Sequence, residues 1–146
     1  MSLPEFDATG DLPPGVHRAT LTEVLQRFGA AGGQRGICSR RLSHLYELAQ
    51  RTGHVCRFVI FGSYVTAKKN PNDVDVVLLM EDAFRLENCP SQARGLFDHA
   101  LAQARYGASI FWTRPGMLIK ESVDDFIGYW QIKRDGCKRG IVEVAP

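Results

Sequence analysis

Apolar positions along the chain fall into short blocks of two different periods. Val55 to Phe61 (VCRFVIF) and Asp73 to Met80 (DVDVVLLM) are nearly continuous apolar runs rich in β-branched residues, the pattern of buried strands. Ala108 to Thr113 and Ile141 to Val144 are shorter runs of the same kind. The intervening segments follow the helical period. Leu42, Leu45, Leu48 and Ala49 form one apolar face of a helix predicted over 40–52, capped by Ser39 and ended by Gly53. Leu96, Ala100, Leu101 and Ala104 do the same for 91–105, and Phe126, Ile127 and Trp130 for a helix running from a Ser122 cap to Gln131. Thr20 and Glu23 have capping-box spacing and start a short helix over Leu21 to Phe28. Pro4, Pro13, Pro14 and Gly15 make residues 1–19 an extended arm. Gly29, Gly32, Gly33 and Gly36 predict a flexible connection between the first two helices. The resulting order predicts an arm (1–19) followed by one α+β domain (20–146), a small mixed β-sheet with helices packed mainly on one face.

Composition narrows the function classes. With 146 residues and 45% hydrophobic positions, one core can form. A net charge of +2 gives no case for general nucleic-acid binding. No apolar run approaches the roughly 20 residues of a membrane span, and the N-terminus lacks a secretion pattern. Cys38, Cys56, Cys89 and Cys137 are scattered without a Cys-x-x-Cys pair, and His17, His44, His54 and His99 show no ligand spacing. This favours structural thiols in a cytoplasmic protein over zinc or a disulfide framework.

Candidate chemistry concentrates between Arg57 and Met80. The first strand ends in Gly62-Ser63, and Asp73-Val74-Asp75 opens the second. Alternation along a strand puts Asp73 and Asp75 on one face, about 7 Å apart, while Val74 and Val76 enter the core. Two such carboxylates repel unless a cation neutralises them. Magnesium (Mg2+), or manganese in its place, is held by one or two carboxylates together with substrate phosphates. Gly62 lets the backbone approach a phosphate, and Ser63 adds a hydroxyl at the start of a helical turn. Lys68 and Lys69, in the polar loop between the strands, are placed to reach a phosphate or to face solvent. The basic tail from Arg134 to Arg139 has the same two readings.

The combination of apolar strand, Gly62-Ser63, spacer, Asp73-Val74-Asp75 and second strand resembles the nucleotidyltransferase superfamily, whose core resembles the palm of DNA polymerase β. A wider resemblance links the chain to uncharacterised bacterial minimal nucleotidyltransferase-like proteins, through Leu12 to Gly15 (LPPG), the GSYVT segment and Arg134 to Val142. The resemblance implies a nucleotidyltransferase-like sheet, catalytic metal binding by Asp73 and Asp75, and nucleoside triphosphate (NTP, for example ATP) binding by Gly62 and Ser63. The implied reaction is transfer of a nucleoside monophosphate to an acceptor hydroxyl. The superfamily usually supplies a third carboxylate from a later strand. Here that strand is Ala108 to Trp112, and Ser109 stands where the acid is expected. A hydroxyl is a weak ligand and no general base near neutral pH. The alternative is therefore a catalytically degenerate nucleotide-binding or partner-binding module, such as a toxin–antitoxin-like component. A domain this small leaves an open site, which suggests a protein partner or a homodimer.

Overall fold

The computed structural model describes residues 3–146, so the first two residues of the expected arm lie outside the described residues. A five-stranded mixed sheet organises the molecule, with spatial order β1 (Val16–Thr20), β5 (Ile141–Ala145), β2 (Val55–Phe61), β3 (Val74–Met80) and β4 (Ala108–Thr113). β1 is parallel to β5, and β3 to β4; β2 is antiparallel to both β5 and β3. Side chains alternate across these strands and define two unequal layers. Phe58, Ile60, Val76, Leu78, Ile110 and Val142 lie in the larger core, beneath α1 (Leu21–Gly29), α2 (Gly33–Arg51), α3 (Ser91–Arg94) and α4 (His99–Tyr106). The other face carries a small cluster of Val59, Val77, Ile127 and Ile141, covered by α5 (Val123–Tyr129), Phe126 and Trp130.

α1 is fixed at its start as its sequence dictates: Thr20 Oγ1 accepts from Glu23 N–H at 3.2 Å, while Glu23 Oε1 accepts from Thr20 N–H at 3.1 Å. Ser122 caps α5 by accepting from Asp125 N–H at 3.0 Å. Other expectations change. α2 begins at Gly33, not near residue 40, because Arg35 and Cys38 extend its buried face and packing overrides the low helix propensity of glycine. Ser39 is then mid-helix and meets the Tyr64 hydroxyl at 2.6 Å instead of capping.

The helix expected over 91–105 is interrupted. Gly95–Phe97 forms a 3-10 turn, and Asp98 starts α4 by accepting from Leu101 N–H at 3.0 Å. Leu96 is buried as expected, together with Ala93, Gly95 and Ala102, but Ala100, Leu101 and Ala104 are not, because the break rotates the second piece. The arm is extended, and its last part joins the sheet: β1 pairs with β5, Leu12 is fully buried and Gly140 N–H donates to Leu12 C=O at 2.8 Å. No helix among the described residues is long and apolar enough to cross a membrane.

Candidate functional site

Asp75 sits early in β3, on the thinly covered face of the sheet. Its neighbours across the strands are Phe61 in β2 and Ser109 in β4. Gly62 follows Phe61 with φ +80°, a conformation that favours glycine. A Cβ placed there would lie 2.0 Å from Asp75 Oδ2. The glycine therefore makes room for the carboxylate itself. Gly62→Ala combines this collision with an unfavourable φ and is expected to cost roughly 2–3 kcal/mol. The midpoint of chemical denaturation measures it.

Asp73 lies one residue before β3, a correction to the strand expected from Asp73 to Met80. β4 begins at Ala108, opposite Val74, because Gly107 turns the chain out of α4 with φ +61°, so no strand residue faces Asp73. Its carboxylate still reaches the site: Ser109 Oγ donates to Asp73 Oδ2 at 3.3 Å. Gln103 Nε2 donates in turn to Ser109 Oγ at 3.0 Å. The two acids and Ser109 are thus brought together by β3 and β4. Burial, and secondly the neighbouring Asp73 charge, push the Asp75 carboxyl from 3.8 up to about 6, with Ser109 and Arg139 pulling the other way. Among the described residues no group of three or more His, Cys, Asp or Glu side chains is placed to hold a metal ion.

Ser63–Val65 forms a 3-10 turn closed by Thr66, whose N–H donates to Ser63 C=O at 3.2 Å. This turn is held from behind by Arg35 of α2, a buried guanidinium that is 8% exposed. Arg35 donates to the carbonyls of Phe28 (3.1 Å), Tyr64 (2.8 Å), Thr66 (2.6 Å) and Lys68. Lys68 and Lys69 are both exposed. Lys68 lines a cleft of ≈ 430 Å³ with Lys133, Arg139, Asp11 and Thr66; Lys69 is not part of its lining. Asp11 accepts from Lys133 Nζ at 3.0 Å and lies 3.6 Å from Arg139. This ties the arm to the basic tail beside the Gly62-Ser63 turn.

A family profile described as "Family of unknown function (DUF6932)" matches residues 4–145. The chain belongs to this family, DUF6932. No curated protein and no solved structure matches it. The family match includes the arm as well as the domain, in keeping with the way β1 and Asp11 are built into this DUF6932 fold.

The residues of this DUF6932 chain that sequence reading passed over are Arg35, Asp11, Gln103 and Lys133. Arg35 lay next to a glycine-rich stretch expected to be flexible. Asp11 and Lys133 meet only because β1 and β5 pair. Trp112 and Trp130 lie on opposite faces of the sheet. Trp112 packs on Phe84 and Phe97 at 5.5 and 5.3 Å, and Trp130 on Phe61 and Phe111 at 4.8 and 4.9 Å. They cannot line one cleft.

Proposed function

We propose that this protein is a magnesium-dependent nucleotidyltransferase that moves a nucleoside monophosphate from an NTP to an acceptor hydroxyl. The observation that carries this reading is the Asp73–Asp75 pair. The acids share Ser109, and neither forms an ion pair among the described residues. Burial and then the Asp73 charge push Asp75 up to about 6, and Ser109 and Arg139 offset this only in part. That donor set fits a hard divalent cation whose remaining ligands come from phosphates and water. Asp73 and Asp75 would hold it, and when bound it would offset their charge and polarise the phosphates it touches.

The chain's own residues divide the remaining work. Gly62 and Ser63 present backbone N–H groups and a hydroxyl toward a polyphosphate, on a turn that Arg35 keeps in place. Lys68, Lys133 and Arg139, around the adjoining cleft, balance its negative charge. The acceptor oxygen bonds to the α-phosphorus as the bond to the pyrophosphate leaving group breaks, and the acceptor proton passes to solvent. Catalysis is then mainly positioning and charge compensation. The four free cysteines are in keeping with a reducing, cytoplasmic setting.

Ser109 favours a second reading, in which the protein binds a nucleotide or a protein partner, or a second copy of itself, without turnover. Incubation with labelled ATP, CTP, GTP and UTP in cell extract separates the two. Catalysis predicts label transfer that vanishes in Asp73→Asn/Asp75→Asn. Magnesium-dependent binding without transfer supports the nucleotide-binding module, and no nucleotide binding sinks the enzyme and leaves only the partner-binding form of the module. Ser109→Asp places a third carboxylate directly opposite Asp75. It is expected to tighten magnesium binding at least tenfold, read by isothermal titration; unchanged affinity would show that position 109 does not face the ion.

A further inference from the structure

A second basic cleft adjoins the carboxylate pair from the Asp73 side. α2 and α4 meet there, and Arg40, Arg41, His44, Gln103, Arg105 and Tyr106 surround a space of ≈ 410 Å³. No carboxylate lines it, and none of its three arginines forms an ion pair among the described residues. Guanidinium groups gathered without a counter-ion repel one another, so an anion entering the cleft gains from all three.

The Arg41 guanidinium lies against the Gly107 turn, with no acid paired to it among the described residues. A Cβ on Gly107 would lie 2.6 Å from Arg41 Cζ, so the absence of a side chain at that turn is what admits the guanidinium. Gln103 connects this cleft to the site: it donates to Ser109, which donates to Asp73. Gly62 and Arg139, by contrast, act on Asp75. The two basic clefts therefore address different members of the pair. The cleft also holds an aromatic surface, with the exposed His44 ring edge-on to Tyr106 at 5.8 Å.

We propose that this arginine cleft receives the acceptor, and that the acceptor carries phosphate: a single-stranded oligonucleotide end. Its phosphates are held by Arg40, Arg41 and Arg105, and a base lies against the His44–Tyr106 pair. The assignment rests on the nucleotidyltransferase reading for its direction, acceptor rather than triphosphate. Guanidinium forks match phosphate oxygens, and base stacking on aromatic rings is tolerant of sequence. An overall charge of +2 gives no broad nucleic-acid surface, but here three cations converge on one opening.

The probe is a fluorescein-labelled hexaribonucleotide, followed by anisotropy at about 50 mM salt, with magnesium–ATP binding measured separately by calorimetry. Arg40→Gln/Arg41→Gln/Arg105→Gln is expected to weaken hexanucleotide binding at least tenfold and to reduce the salt slope by roughly 2. Magnesium–ATP affinity stays within twofold. Arg40→Gln/Arg105→Gln leaves the Arg41–Gly107 contact intact and is expected to lose at least threefold, which covers the case of a misfolded triple variant. The proposal is overturned if wild-type protein does not bind the hexanucleotide, if the variants bind it unchanged, or if they lose magnesium–ATP instead. Asp73→Asn/Asp75→Asn tests the nucleotidyltransferase reading separately. Magnesium–ATP binding and transfer that survive it refute that reading, whatever the arginine variants do.

Discussion

Asp75→Asn is expected to make the protein more stable at pH 8 while removing the magnesium-dependent nucleotide binding proposed for it. The native Asp75 carboxyl is pushed up from 3.8 to about 6, by burial first and Asp73 second. The folded state thus holds this proton more tightly than the unfolded chain does. Stability contributed by the protonated form is present below about pH 4 and is lost as the pH rises through about 6. A shift of that size corresponds to roughly 2–3 kcal/mol of penalty at pH 8. A neutral amide removes it, raising the melting temperature by roughly 5–10 °C at pH 8. Near pH 4 the variant and the wild type should melt together. Thermal melts at the two pH values measure both; a gain equal at pH 4 and pH 8 would show that the charge is not the source. A stabilising substitution that abolishes binding is the behaviour of a site kept for function rather than for folding. If the proposed site holds magnesium, its binding to the wild type should also release protons near pH 6, because the ion requires the ionised pair.

Arg35→Ala is expected to be among the most damaging single substitutions away from the carboxylates. Its guanidinium is buried, has no acidic partner, and satisfies the carbonyls of Phe28, Tyr64, Thr66 and Lys68. Truncation strands several buried acceptors at roughly 1–3 kcal/mol each, with partial relief from water, so a loss of about 4–5 kcal/mol follows. Arg35→Lys recovers little, because an ammonium is a single point with three donors and cannot span four carbonyls. Chemical denaturation reads the stability, and amide hydrogen exchange over 63–68 reads the release of the turn. If Arg35→Ala costs less than about 1 kcal/mol, the turn is held by something other than this clamp.

Much of the scaffold was legible because its signals are local. Val55 to Phe61 forms β2 over that whole span, since a continuous apolar run ended by Gly62 leaves few alternatives. The Thr20–Glu23 and Ser122 caps appear as expected because such hydrogen bonds depend only on residues three apart. β1 was missed: Val16–Thr20 has no strong strand pattern, and its pairing partner lies at the other end of the chain. The break at Asp98 was missed because a cap inside an apolar-periodic stretch competes with helix continuation, and packing of Phe97 on Phe84 and Trp112 decides the contest. The acids and the Gly-Ser turn could be named from spacing alone. Lys68 and the tail holding Arg139 could be named as phosphate candidates too, but not that they converge with Lys133 on one cleft, because Lys68 is far in sequence from the other two.

By itself, the sequence determined the central strands β2 and β3, the capped starts of α1 and α5, and that Gly62, Ser63, Asp73 and Asp75 fall where the two central strands end and begin. Those are properties of hydrophobic period, capping and backbone freedom, which act over a few residues. Tertiary structure alone decided that Gly62 makes room for Asp75, that Ser109 joins Asp73 to Gln103, that Arg35 clamps the turn, and that separate basic clefts flank the pair. Each depends on strand order and on helices laid across the sheet. Burial and the approach of like charges, which push Asp75 up to about 6, exist only once the chain has closed.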